Sequence, residues 1–183
     1  MSQKRLGILV SGSGSTYANL VEAIRAGQVP AVIAVVVSSR ADAFGLVRAE
    51  RFGHPRVVAA TATAVTAALV EHGAEWVAMC GWLRFWDPPA PFAGRTINVH
   101  PSLLPRHGGR GMYGTHVHAA VLASGDPESG CTVHQVAGAY DSGAILAQSR
   151  VPVLAGDTAE TLQQRVQAAE RELYPRVLAD LLR

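Results

Sequence analysis

Short apolar runs alternate with segments of helical period through the first half of the chain, and few folds accept that rhythm. Leu6–Val10 is apolar and ends in Ser11-Gly12-Ser13-Gly14-Ser15. Thr16–Ala26 follows with Leu20, Val21 and Ile24 on one helical face, and Gly27 stops it. Ala31–Ser39 is valine, isoleucine and alanine without alternation, as expected of a strand covered on both faces. Ala43–Phe52 reads as a helix ending at Gly53, Arg56–Val58 as a short strand, Thr63–His72 as a helix and Trp76–Cys80 as another buried strand. Such repetition predicts an α/β, Rossmann-like, doubly wound and mostly parallel sheet with helices on both faces, a three-layer αβα sandwich. After Gly81 the rhythm changes. A proline-rich stretch, Asp87–Pro91, leads to a strand at Thr96–His100, then to a glycine-rich loop at His107–Gly114. Val117–Ser124 reads as helix, Thr132–Val136 and Ala144–Val153 as strands, and a long helix runs from about Thr158 to Leu182. Asp157 with Glu160 three residues on is a helix-start signature. No internal repeat or low-complexity tract interrupts the pattern.

A length of 183 residues suits one domain with a sizeable core, and 49% hydrophobic against 16% charged residues marks a globular chain. A net charge of +2 is too small for nucleic acid to be the main partner. Lys4 is the only lysine, which leaves neither a Schiff-base lysine nor a phosphate-loop lysine in the body of the chain. Cys80 and Cys131 sit in apolar, strand-like contexts without a neighbouring cysteine, so they read as buried thiols rather than a disulfide or a metal knuckle. The apolar run Leu6–Val10 is too short for a signal sequence, and no run approaches a membrane span. The expectation is a cytoplasmic protein, monomeric or homodimeric, that touches neither membrane nor nucleic acid.

Chemistry concentrates in Ile97–Pro105 and Tyr140–Gly143. Asn98 and His100 stand two apart in a strand, so both side chains point to one face. Pro101 bars the helical region to His100 and keeps the imidazole at an extended strand end, where parallel α/β sheets place their ligands. Asp141 can return from a distant loop to pair with that ring. An amide donor, an imidazole and a carboxylate converging on one point suit attack on a carbonyl-like carbon, with donor and imidazolium holding the oxyanion and the carboxylate tuning the ring. The loop Ser11–Thr16 follows a strand and opens a helix, so its amides suit an anion; a plain tight turn is the alternative. It is no dinucleotide fingerprint, because Tyr17 takes the place of the third glycine and Ser38-Ser39-Arg40 offers no ribose acceptor. Lacking Gly-Lys-Ser/Thr, it is no Walker loop either. A single phosphate fits best.

The seven histidines do not assemble into a metal set in the sequence. His116 and His118 face different directions on a helix, His134 sits mid-strand as a satisfied core histidine would, and no carboxylate adjoins His100. No metal is expected. A Gly-x-Ser-x-Gly elbow for hydrolase chemistry is also absent from the sequence.

Asn98-Val99-His100-Pro101-Ser102-Leu103-Leu104-Pro105 resembles the signature of the folate-dependent formyltransferases. The Ser11–Ser15 loop narrows the resemblance to the phosphoribosylglycinamide formyltransferases, which pass a formyl group from 10-formyltetrahydrofolate to the glycinamide amine in purine synthesis. It covers nearly the whole chain, through Ala41–Leu46, Gly81–Arg84, Thr132–His134, Val166-Gln167 and Glu170 to Tyr174-Pro175, and Gly108–Gly114 looks like the loop of one bacterial branch. The resemblance implies a single formyltransferase domain over 1–183, with about 1–97 binding the nucleotide phosphate and about 98–183 completing the catalytic and folate sites. It implies a catalytic trio of Asn98, His100 and Asp141, and a phosphate loop of Ser13, Gly14, Ser15 and Thr16. Gln167 and Glu170 would lie near the glycinamide and ribose. Leu83, Arg84, Phe85 and Trp86, with Asn98 and Ala137, Gly138, Ala139, Tyr140 and Asp141, would wall the folate pocket. The implied co-substrate is 10-formyltetrahydrofolate, and both partners are small molecules.

Three departures stand out. Thr16 occupies a place where the family often has Asn. The short segment after Val58 contains no arginine before Arg84, so the basic residue that some members place there against the folate glutamate tail is absent. Phe85-Trp86 is bulkier than the usual aliphatic pair. Competing readings are a methionyl-tRNA formyltransferase, which normally adds a C-terminal tRNA domain, a formyltetrahydrofolate hydrolase, which usually brings an N-terminal regulatory domain, and a non-catalytic folate or nucleotide-binding module.

Overall fold

A computed structural model describes residues 3–183. Its elements in chain order are β1 (Lys4–Val10), α1 (Ser15–Arg25), β2 (Ala31–Ser38), α2 (Phe44–Phe52), β3 (Arg56–Val58), α3 (Ala62–Glu71), β4 (Trp76–Met79), β5 (Thr96–His100), α4 (Thr115–Ser124), β6 (Glu128–Gln135), β7 (Ile145–Pro152) and α5 (Ala159–Leu182). One seven-stranded sheet results, in the order β3-β2-β1-β4-β5-β6-β7. The first five strands pair in parallel, and β6 pairs antiparallel with both β5 and β7. Strand order reverses between β1 and β4, and the crevice beyond the carboxyl ends at such a switch point is where this architecture receives ligands.

Alternation along β1 builds both cores. Leu6, Ile8 and Val10 join one buried cluster with α1 and α5, whereas Leu9 joins another with α3 and the segment Trp82–Phe92. Each fully buried side chain of this size contributes roughly 1.5–3 kcal/mol. At Gly7 a Cβ would lie 2.3 Å from Leu69 Cδ2, so glycine lets α3 seat close on β1.

The long helix α5 underpins the site. Pro175 within it donates no backbone hydrogen bond, which frees the Arg171 carbonyl. Asn19 of α1 satisfies that carbonyl through Nδ2 at 2.9 Å and so pins α1 to α5. The buried Tyr174 hydroxyl lies 3.1 Å from the Met79 carbonyl and 2.9 Å from that of Ile97, tying the same helix to β4 and β5. Tyr174→Phe is expected to lower unfolding free energy by about 1 kcal/mol in urea titration; an unchanged midpoint would show the hydroxyl to be idle.

Most element ends shift by only one or two residues from the sequence expectation, and two differences have a definite physical cause. β6 begins at Glu128, four residues before Thr132, because the pairing of Glu128–Cys131 with Ser149–Pro152 overrides the poor strand propensity of Ser129 and Gly130. The N-cap of α5 is Thr158, not Asp157. Thr158 and Thr161 form a reciprocal capping box, while Asp157 accepts from Thr161 Oγ1 at 2.8 Å and from Arg165 at 2.7 Å.

Candidate functional site

β5 carries Asn98 and His100 to the carboxyl edge of the sheet, with His100 3% exposed. Asp141 arrives from the β6–β7 connection with φ 51°, a left-handed conformation that Asp tolerates better than most residues. Its Oδ1 lies 3.3 Å from His100 Nδ1, and its Oδ2 accepts from the Gly109 amide at 2.9 Å. On the other side of the ring, His100 Nε2 lies 2.9 Å from the His107 carbonyl. Both ring nitrogens therefore face acceptors, and only the imidazolium donates to both. Burial pushes the Asp141 carboxyl up, but the His100 ring and the Gly109 amide outweigh it and hold the group below its usual range.

His134 belongs to this constellation, although its mid-strand position reads as core. It pairs with Asn98 across the β5–β6 ladder. Its Nδ1 donates to the Gln135 carbonyl at 2.8 Å, which leaves Nε2 to accept from Asn98 Nδ2 at 3.0 Å. Burial holds this ring below its ordinary pKa, in keeping with a neutral acceptor. The Asn98 amide is thereby oriented with one N–H spent and the other without a partner among the described residues.

Two cavities meet at the trio. The larger, about 490 Å³, runs from the Ser13–Thr16 loop past His100 to α5, where Gln163, Gln167 and Glu170 line it. The smaller, about 50 Å³, lies between Arg84–Asp87 and Val136–Asp141. Trp82, Asn98, Tyr140 and Asp141 line both. A group held in one cavity can thus be passed to a group held in the other across Asn98 and Asp141.

At the far end of the larger cavity, Gly14 caps α1 with φ 68°, and a Cβ there would stand 2.7 Å from Gly45 Cα. Ser13 Oγ lies 3.4 Å from both the Ser15 amide and its hydroxyl, and Arg48 Nε donates to the Ser13 carbonyl at 2.9 Å. A loop so held presents the first α1 amides to the cavity and favours an anion there.

The expected folate-wall residues divide. Leu83 lines the larger cavity, while Arg84, Phe85, Ala137, Gly138 and Ala139 line the smaller. Phe85, 52% exposed, packs against Tyr140 with ring centroids 5.4 Å apart. Trp86 also borders the smaller cavity, but it is a core residue that packs on Phe92 and donates to Thr66 Oγ1 at 3.2 Å. Asp87 accepts from the Gly138 amide at 3.0 Å and fixes the backbone opposite.

Several lining residues escape a sequence reading. His118 lines the larger cavity with an Nδ1 that has no partner among the described residues, and burial, then His100, pushes its pKa down to about 4. Gln163 precedes Gln167 by one helical turn, a spacing that could have revealed it. Arg110, from the glycine loop, is the one arginine or lysine among the described residues lining the larger cavity. No group of three or more His, Cys, Asp or Glu among the described residues could hold a metal ion, and no helix among them is long and apolar enough to cross a membrane.

The family profile described as formyl transferase matches residues 4–178. A phosphoribosylglycinamide formyltransferase of Escherichia coli is 34% identical over 94% of this chain and 84% of its own length. The crystal structure of a phosphoribosylglycinamide formyltransferase from Brucella melitensis superposes with a TM-score of 0.87 at 40% identity, covering 98% of this chain and 96% of that one. A trifunctional purine biosynthetic protein of Drosophila pseudoobscura pseudoobscura is 40% identical over 97% of this chain, which spans only 14% of that protein.

Proposed function

Because the chain belongs to the formyl transferase family, and within it to the phosphoribosylglycinamide formyltransferases, we propose that it transfers the formyl group of 10-formyltetrahydrofolate to the amine of 5-phosphoribosylglycinamide in the cytoplasm. The products are formylglycinamide ribonucleotide and tetrahydrofolate. The observation that carries this reading is the pair of cavities sharing Asn98 and Asp141 beside His100. In this reading residues 1–97 supply the phosphate site, and 98–183 complete the catalytic and folate sites of one domain.

The larger cavity receives the ribonucleotide, with its phosphate on the Ser13–Thr16 amides and its glycinamide end toward Gln167 and Glu170. The smaller receives the pterin, whose polar edge the backbone of Val136–Ala139 can read once the exposed Phe85 and Tyr140 rings part. The substrate amine attacks the formyl carbon and a C–N bond forms. Negative charge collects on the formyl oxygen, where the second Asn98 N–H and the imidazolium charge of His100 stabilise it. Asp141 keeps the ring charged and takes up the ammonium proton, directly or through water. That proton passes to N10 as the C–N10 bond breaks, which regenerates the resting trio.

The phosphate loop contributes binding rather than chemistry. Gly14→Ala forces a side chain into a left-handed position against Gly45. It is expected to raise KM for the ribonucleotide about tenfold or more while kcat changes little; a rise confined to the folate KM would remove the loop from the phosphate site. The proposal as a whole is tested by mixing the protein with 10-formyltetrahydrofolate and glycinamide ribonucleotide and identifying products by mass. Formylated ribonucleotide in stoichiometric balance with tetrahydrofolate supports it. Formate release alone would mean a hydrolase, formylation of methionyl-tRNA alone the tRNA enzyme, and binding without turnover a non-catalytic module.

A further inference from the structure

The turn that follows β5 touches both halves of the His100–Asp141 pair. The His107 carbonyl accepts from His100 Nε2 at 2.9 Å, and two residues on the Gly109 amide donates to Asp141 Oδ2 at 2.9 Å. Residues 107–109 are thus a backbone clamp on the trio. Yet His107 holds φ 55°, a conformation that costs a residue with a side chain about 1 kcal/mol or more unless its surroundings enforce it.

We infer that the His107–Asp126 side-chain pair, which lines neither cavity, enforces that turn and makes both residues positioning residues for formyl transfer. His107 Nε2 lies 2.7 Å from Asp126 Oδ2, and the Arg106 guanidinium bonds the other oxygen. Ser102 Oγ donates to the Arg106 carbonyl at 2.7 Å, so the turn is fixed from both sides. The His107 and Asp126 side chains are 14% and 9% exposed, which sets the pair apart from an ordinary surface ion pair of little consequence. Asp126 stands directly after Gly125, the left-handed cap of α4, so its place is set by a helix end rather than by a mobile side chain. Hydrogen bonding from His107 holds the Asp126 carboxyl below its usual range, in keeping with a formed pair. Without the pair only Ser102 Oγ, on the Arg106 carbonyl at 2.7 Å and at 3.5 Å from that of His107, restrains the turn, and residue 107 can leave the left-handed region. Its carbonyl then swings away from His100, and the Gly109 amide from Asp141.

The inference rests on the formyl-transfer reading, and its test separates the two. Kinetic constants are measured for wild type, His107→Phe, Asp126→Ala, the double variant and His107→Gln, whose amide can still donate to Asp126. Each single disruptive variant is expected to lose about tenfold in kcat with both KM values within about twofold, since misplacing a catalytic group acts on the transition state. The double variant should fall about as far as one single, because both changes cut the same contact. His107→Gln should recover to within about threefold of wild type. Unchanged kcat in the singles, a double loss near the product of the two, or no recovery in His107→Gln would overturn the assignment. The hydrogen-bonded His100 Nε2 proton, followed by NMR in the substrate-free proteins, gives a readout independent of turnover. It should shift in His107→Phe and Asp126→Ala and stay in place in His107→Gln. An unmoved resonance defeats the inference even if wild type transfers formyl; a wild type that transfers none defeats the functional reading alone.

Discussion

Asp141→Asn is expected to keep the fold and lose about 10²–10³ in kcat. The carboxylate serves two donors, His100 Nδ1 at 3.3 Å and the Gly109 amide at 2.9 Å. An asparagine has one oxygen for the two. If that oxygen stays with Gly109, its NH₂ confronts Nδ1, and the ring can avoid a clash of donors only by giving up its proton there. His100 then remains as a neutral imidazole that donates through Nε2 to His107. The positive charge beside the formyl oxygen is gone, and so is the acceptor for the substrate's ammonium proton. Both losses act on the transition state, so kcat and kcat/KM should fall together while the folate and ribonucleotide still bind. Circular dichroism and thermal denaturation establish that the fold persists, and stopped-flow or discontinuous assays give kcat. Near-normal turnover in a folded Asp141→Asn would remove the carboxylate from the mechanism.

How far such residues can be found without coordinates depends on the range of the interaction that fixes them. β2 is legible because a strand buried on both faces is apolar throughout, whatever its neighbours. Asn98 and His100 are legible because period two and the following proline are local properties. The role of His134 is not. It depends on an antiparallel register that sets it opposite Asn98, and nothing within a few residues of position 134 records that register. The early start of β6 has the same origin, since a Ser-Gly pair joins a strand only when a partner strand supplies the ladder. At α5 the helix start is foreseen to within a residue, but the cap goes to Thr158 because Asp157 is engaged by Arg165 two turns later. Asp141 lies between these cases. Its presence in Asp-Ser-Gly can be read, but its meeting with His100 is a product of the hairpin that links β6 to β7.

Glu170→Gln tests the floor of the larger cavity and carries a second large effect. Among the described residues no hydrogen bond reaches the Glu170 carboxylate, and burial pushes its pKa up to about 7, although His100 and Arg171 pull it the other way. In the unfolded chain the same group titrates near about 4.3. Between those two values the folded state binds more protons than the unfolded one, so unfolding free energy falls as pH rises. Above about pH 7 the folded protein bears the full penalty of a half-buried charge with no hydrogen-bond partner among the described residues, of order 3–4 kcal/mol at about 1.4 kcal/mol per unit. A glutamine bears none of it. The variant should therefore be more stable than wild type by that amount at pH 8 and equal to it near pH 4, as read from urea midpoints at each pH. The same charge is what a glycinamide ammonium would find attractive, so KM for the ribonucleotide should rise about tenfold as stability improves, an exchange common at sites held in unfavourable electrostatic states. Equal midpoints at pH 8 would mean that the carboxylate is solvated or paired after all. A stabilised variant with unchanged KM would instead separate Glu170 from the substrate amine and leave Gln167 and the phosphate loop to hold the ribonucleotide.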